Sequence, residues 1–412
     1  MKKMIYFEWK KIWLGKLTQL AIIGCAMFFI FCVFSNTAQT NAIRDDGTTV
    51  SGMDAIRVMK EQNIPIELTQ AETERIMNEY LDYTKNPDTG SDNAAYFYLS
   101  EDLYRTWYQP NKTLLGMIDA IYSNPDESEM SLKRVFEQNL GRDIQEARIA
   151  RDQDKINRLL ENGSLTKTQA EYWKALTSQK KPIYYGYCEG WKQVFFAGNW
   201  AVIIMMIVGI GIAPVFSGEY QSKCDSLLLC MKFGKGRLVL SKIIAAWLYA
   251  TFVYWILTGG YTIAYLCLYG TAGGQLPVEL LVTPLSTGYQ LTMQRAVVFQ
   301  QLLGYIYTLG FGGFALLLSS LLKNTYSVIV ITLPLVLILS LLSPDQGGYV
   351  WSHALSLLPS QIVNFTYDSY TAYDIAGRVF SWLSAGLLVN GIAAIILTVG
   401  SYSLFRRHQV NR

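Results

Sequence analysis

The sequence predicts an all-α membrane protein with six transmembrane helices, both termini cytoplasmic, and a mainly helical extracellular domain between the first and second crossings. Three observations predict it. Hydrophobic residues make up 51% of the 412-residue chain and charged residues 16%, segregated into long uncharged runs and one polar block, as in integral membrane proteins. The runs match the roughly 17 to 25 residues that cross a bilayer. Basic residues collect on one side of them: Lys2, Lys3, Lys10, Lys11 and Lys16, five more within 218–242, then Lys323, Arg406, Arg407 and Arg412. The short loops of the other side hold only Arg295 and Arg378, so the positive-inside rule places both termini in the cytoplasm. The formal net charge of +3 is too small to suggest nucleic acid; lipid headgroups are the expected partner of the basic flanks.

In chain order, residues 1–17 alternate basic and large apolar residues. Ile5, Trp9, Ile12 and Trp13 share one helical face, so this is a cytoplasmic amphipathic helix lying at headgroup level. Residues 18–34 form the first crossing. Their apolar core exceeds that of a signal peptide, and the flank offers a poor cleavage site, so they are expected to be retained. Residues 35–195 are long enough for an independent core and read as helices over 53–60, 69–83, 112–122, 131–139 and 143–161. A further helix starts at Thr166, and Thr69 opens a capping box with Glu72. The aromatics Tyr96, Phe97, Tyr98, Tyr104, Trp107 and Tyr108 are expected in the core of this domain.

Residues 196–217 form the second crossing and 243–269 the third. A polar bridge at 218–242 joins them, carrying Lys223, Lys232, Lys235, Arg237 and Lys242 against Glu219 and Asp225. Within it, 219–229 is expected to form a short helix with acids towards its start and a break at Gly234 and Gly236. An outer loop, 270–295, leads to the fourth crossing, 296–322, where Gly304, Gly310, Gly312 and Gly313 suit close helix packing. The fifth crossing is 326–342. An outer loop at 343–379 holds a short amphipathic helix near 350–358, and the sixth crossing, 380–405, ends at a basic cytoplasmic tail, 406–412.

Glu219, then Asp225 with Leu227 and Leu228, then Arg237 and Lys242 follow the second crossing in the order seen in permeases of the type-two ABC exporter family, and the chain resembles that family over its whole membrane part. The proline usual in the turn is replaced here by Phe233, Gly234 and Gly236. The resemblance implies a permease subunit paired with a second permease, identical or paralogous, and driven by two copies of a separate ATPase that carries the ATP and magnesium. It implies a coupling role for Glu219, Tyr220, Asp225, Leu228 and Arg237, and a contact through Glu8 and Lys11 of the N-terminal helix. An amphipathic cargo such as a peptide, a lipid or a hydrophobic drug would suit such helices. Two alternatives stand beside this reading: a resistance sensor whose outer domain binds an antimicrobial peptide, and a sodium-efflux permease.

The chemistry missing from the sequence narrows the choice. The six assigned crossings contain no Asp, Glu, His, Lys or Arg, whereas ion-coupled carriers generally need an intramembrane ionisable group. Their deep polar residues include Gln300, Gln301 and Asn390, either interhelical hydrogen-bonding groups or the lining of a substrate route. Gly234-Lys235-Gly236 lacks the rest of a phosphate-binding loop, so no nucleotide cofactor is expected on this chain and it is not expected to be an enzyme. His353 and His408 are too far apart in the predicted topology to pair on a metal. The six cysteines lie mostly in apolar runs or in the bridge, with only Cys188 facing outward, and imply neither a disulfide framework nor a zinc site.

Overall fold

Hydrocarbon offers no hydrogen-bond partner to a peptide group, so an apolar run satisfies itself only by closing its own ladder as a helix. The computed structural model of the protein follows that rule. It describes residues 1–93, 96–123, 131–179, 182–224, 234–281, 286–344 and 348–407.

The chain begins with α1 (Lys2–Trp13) and α2 (Lys16–Gln39), separated by a turn. The polar domain then contributes α3 (Gly52–Gln62), α4 (Gln70–Lys85), α5 (Glu101–Leu103), α6 (Gln109–Tyr122), α7 (Leu132–Asn139), α8 (Ile144–Glu161) and α9 (Lys167–Thr177). The second apolar stretch runs through α10 (Glu189–Ala197), α11 (Ala201–Ile212) and α12 (Pro214–Gln221). It is followed by α13 (Val239–Tyr269), α14 (Met293–Leu321), α15 (Thr325–Leu341), α16 (Tyr349–Ser356) and α17 (Trp382–Arg407).

Among the described residues, five helical stretches are long and apolar enough to cross a membrane: Lys16–Gln39, Glu189–Gln221, Gly236–Tyr269, Met293–Leu321 and Trp382–Arg407. The expected fifth crossing, α15, is apolar but only 17 residues long, with Pro334 in its interior. The helices also overrun the spans expected for them. Lys242 falls in the first turn of α13, Arg295 in the first turn of α14, and Glu219 in the last turn of α12. The spans assigned from the sequence stay uncharged, and these charges stand at the helix ends beyond them.

Burial follows composition. Nine of the 12 residues of α11 are buried, so it sits at the centre. By contrast α2 buries one stripe, Thr18, Cys25, Phe29, Val33 and Thr37, and exposes Leu20, Met27, Phe31 and Phe34 on its other faces. Phe29 stacks on Trp200 at 4.7 Å and meets the edge of Tyr261. The most extensive pairing, α14 with α17, relies on small residues: a side chain at Gly386 would overlap Tyr307, and Gly310 backs onto Asn390.

The polar domain has its own core, in which Ile76, Met77, Leu115, Ile118, Phe136 and Ile144 meet. Helices α4, α7, α8 and α9 start at the side-chain caps that the sequence offers, Thr69, Ser131, Asp143 and Thr166. At Thr166 the reciprocal partner is Gln169, completing a capping box. Among the described residues, four short antiparallel pairs went unanticipated: β1 (Asn41–Ile43) with β2 (Thr49–Ser51), β3 (Ile66–Glu67) with β6 (Tyr184–Tyr185), β4 (Gly90–Asn93) with β5 (Tyr96–Leu99), and β7 (Ala372–Ile375) with β8 (Arg378–Ser381). The last pair displaces the start of the final helix from 380 to Trp382. The aromatic cluster also departs from expectation. Tyr98 and Tyr104 are exposed, while Trp107 packs on Tyr80 and donates its indole N–H to Glu79 at 2.7 Å.

This domain is fastened to the bundle. Arg148 of α8 donates to Glu279 at 2.7 Å with both side chains buried, Trp173 donates to the Tyr370 carbonyl at 2.6 Å, and Gln169 donates to the Ala372 carbonyl at 2.6 Å. Cys25, Cys32, Cys188, Cys224 and Cys267 are unbridged; Cys230 lies outside the described residues.

Candidate functional site: a buried charge cluster under the polar bridge

At the opposite end of the bundle, three segments far apart in sequence bring charge together out of water. Glu8 stands on the inward face of α1 beside Ile12. Packing holds that helix against α13: Trp9 stacks on Trp13 at 5.7 Å, and both rings meet the edge of Phe252. Lys242 is only 1% exposed and donates to Glu8 Oε2 at 2.8 Å and to Glu219 Oε1 at 2.6 Å. Lys11, half in solvent, donates to the same Glu219 oxygen at 2.6 Å. Two carboxylates and two ammonium groups therefore balance.

Their positions make the balance necessary. Glu219 lies at the carbonyl-rich end of α12 and Lys242 at the N–H-rich end of α13, so each charge faces the unfavourable pole of its own helix. Burial adds a desolvation cost of several kcal/mol per ion. Only the mutual pairing offsets both terms.

A second device fixes the height of Glu219. Pro214 has no backbone N–H and interrupts the ladder between α11 and α12. Ser319 of α14 repairs the gap: its hydroxyl accepts from the N–H groups of Phe216 (3.0 Å) and Ser217 (3.1 Å) and donates to the Ala213 carbonyl (2.7 Å). Tyr220 adds a bond from its hydroxyl to the Ser320 carbonyl at 3.2 Å and packs near Phe405.

Several expected positions fall elsewhere. Glu219, Tyr220 and Gln221 end the long second helical stretch instead of opening a separate helix, and the chain turns at Ser222. Asp225 and Leu228 lie outside the described residues. Arg237 is exposed in the turn that enters α13. Glu8 and Lys11 both join the cluster, but through Lys242 and Glu219 and not as a pair with each other. The sequence reading missed Lys242 as the hub. The available signal was a lone cation in the first turn of an apolar helix.

The polar groups inside the bundle differ among themselves. Gln301 donates to Thr262 Oγ1 at 2.9 Å, and Asn390 donates to the carbonyls of Leu357 at 2.8 Å and Gly386 at 3.2 Å. These are interhelical and local hydrogen bonds. Gln300, 1% exposed and pressed against Gly198, makes no side-chain hydrogen bond among the described residues. His353 is not a bare surface residue: it stacks on Tyr349 at 3.9 Å, with its ring nitrogens 2.9 and 3.0 Å from the carbonyls of Tyr349 and Ala372. His408 lies outside the described residues. Among the described residues no group of His, Cys, Asp and Glu is arranged to hold a metal ion. No protein-family model matches the chain, and no match was found among curated proteins or solved structures.

Proposed function

We propose that the chain is the permease subunit of an ATP-driven exporter of the type-two ABC class, in the plasma membrane. In this reading α15 completes six crossings, both termini are cytoplasmic, and the polar domain lies outside the cell. A separate ATPase, in two copies, carries ATP and magnesium, and a second permease subunit pairs with this one.

The observation that carries the reading is the cluster of Glu8, Lys242, Glu219 and Lys11. It ties the amphipathic N-terminal helix to the two helices that flank the polar bridge, so a push on that bridge reaches three segments at once. A device of this kind suits a subunit whose motor is another chain. Asp225, Leu228 and Arg237 are the residues assigned to the motor contact, while Glu219 and Tyr220 transmit the force inward. Gln300, whose buried amide has no hydrogen-bond partner among the described residues, is the candidate wall of the cargo route, with Gln301 and Asn390 nearby in the bundle. The cargo is an amphipathic peptide, lipid or drug.

The fastening of the polar domain through Arg148 and Glu279 favours a second reading, in which that domain binds a peptide and relays occupancy without transport. One experiment separates the two: purification of the tagged full chain from its native membrane in mild detergent, with mass spectrometry of what accompanies it. A stoichiometric ATPase, lost on Leu228→Asp, supports the exporter. A preparation free of ATPase overturns it and leaves the sensor.

A further inference from the structure

At the polar-domain end a cavity of about 700 Å³ opens where α8, α16 and the segment before β7 converge, within the usual size range of small-molecule sites. Its wall includes Lys155, Ser343, His353, Thr366, Asp368 and Trp382. The Lys155 ammonium is 3.4 Å from the Asp368 backbone carbonyl and 5.2 Å from the centre of the Tyr370 ring. The Asp368 carboxylate is half-buried and makes no hydrogen bond or ion pair among the described residues, and the same holds for the hydroxyls of Ser343 and Thr366. The cavity lining therefore combines a cation, a carboxylate and hydroxyl donors.

The site also has a level. It lies where α15 ends and α17 begins, and Trp382 is the first residue of α17. Exposed apolar side chains neighbour its lining residues in the sequence: Leu341, 85% exposed, two positions before Ser343, and Val350 and Trp351 between Tyr349 and Ser352. If α17 crosses a bilayer, its ends lie among the headgroups, where exposed tryptophan and aliphatic groups are at home.

We propose that this cavity binds a zwitterionic amine–phosphate group of the phosphoethanolamine type, with its ammonium on Asp368 and its phosphate on Lys155 and the neighbouring hydroxyls. Charge-assisted hydrogen bonds of both signs would then be made at once. A phosphate group without the amine would leave Asp368 unpaired beside an anion, a costly arrangement in a half-buried site. The proposal rests on the membrane reading of the helices and is independent of any ATPase partner.

The test uses the full chain in detergent, with lipid retention followed by native mass spectrometry and thermal unfolding. Phosphatidylethanolamine and phosphatidylglycerol of identical acyl chains are the probes. The wild type should retain phosphatidylethanolamine about tenfold more tightly. Asp368→Asn should remove that preference and leave phosphatidylglycerol retention unchanged, whereas Asp368→Glu should keep it. Thr366→Ala, on an exposed residue, should give a smaller loss in a chain that folds normally. Equal retention of the two lipids by the wild type, or an undiminished preference in Asp368→Asn, overturns the proposal. Glycerophosphoethanolamine, which carries the headgroup without chains, identifies the source: competition in the millimolar range supports a soluble ligand, and its absence alongside lipid retention supports a membrane lipid.

Discussion

The molecule holds buried ion pairs at both ends, and they are built differently. Around Lys242 two carboxylates share one ammonium, and a second ammonium, on Lys11, reaches in from solvent. Between the polar domain and the bundle Arg148 meets Glu279, with Gln145 as a further partner of the arginine at 2.9 Å, and the same helix buries a second ion pair, Arg151 with Asp152 at 3.2 Å. The first arrangement joins three segments through a compact point charge that can be shared. The second uses planar guanidinium forks, whose hydrogen bonds are directional, between the polar domain and the bundle. The difference teaches that the α1 end is built to keep several helices in step, whereas the polar-domain end is built to hold one orientation.

That comparison can be broken experimentally, and the largest effect is expected at its hub. Lys242→Ala leaves buried Glu8 without its ammonium partner and Glu219 with Lys11 alone, and should cost about 3–5 kcal/mol, seen as a fall in the thermal unfolding midpoint in detergent. Replacing all three buried members together, Glu8→Gln, Lys242→Met and Glu219→Gln, should recover most of that loss, because the uncompensated charge is gone. A triple variant as unstable as Lys242→Ala would show that the cluster is not balanced as described.

Glu279→Ala should cost less, about 2–3 kcal/mol, and its signature should be local. Limited proteolysis should become faster in the polar domain while the helices of the bundle stay protected. Uniform protection at both ends would contradict a docking role for the pair. Gln300→Leu runs the other way: removing an amide with no hydrogen-bond partner should raise stability by about 1–2 kcal/mol. Under the exporter reading, a fall in cargo-stimulated hydrolysis alongside that gain in stability would place Gln300 on the proposed route.

The smallest effect is expected at Asp119, where burial pushes the carboxyl above the usual carboxylate range while Ser123 donates a hydrogen bond that opposes the shift. A raised acid favours the folded state below its ordinary pKa, and that contribution is lost as pH rises through the raised value. Asp119→Asn, which can still accept from Ser123, should therefore unfold at a slightly higher temperature at neutral pH, and the gain should vanish in acid below the usual carboxylate range.

Much of the fold was legible because apolar length and capping chemistry are local. Thr69, Ser131, Asp143 and Thr166 announce their helices in the sequence, and the small residues of α14 announce close packing. What escaped was decided by distant partners. The two-residue pairing of Ile66 with Tyr185 joins segments more than a hundred positions apart and leaves no alternating pattern. The charge cluster escaped for the same reason: Glu8 and Lys11 belong to an ordinary basic helix until Lys242, over two hundred residues later, folds beneath it. Trp107 and Tyr104, alike in sequence as aromatics, part company: the indole N–H of Trp107 finds Glu79, whereas the Tyr104 ring stays exposed and stacks on Tyr108.

The interruption at Pro214 changes how stiffness is distributed along the second long helix. An unbroken ladder would make α11 and α12 one rod, and a torque at Glu219 would twist the centre of the bundle. With the ladder cut and its loose N–H groups handed to Ser319, the terminal segment is spliced to α14. Under the exporter reading, a load applied at Glu219 would pass into α14 through Ser319 as well as along the central helix.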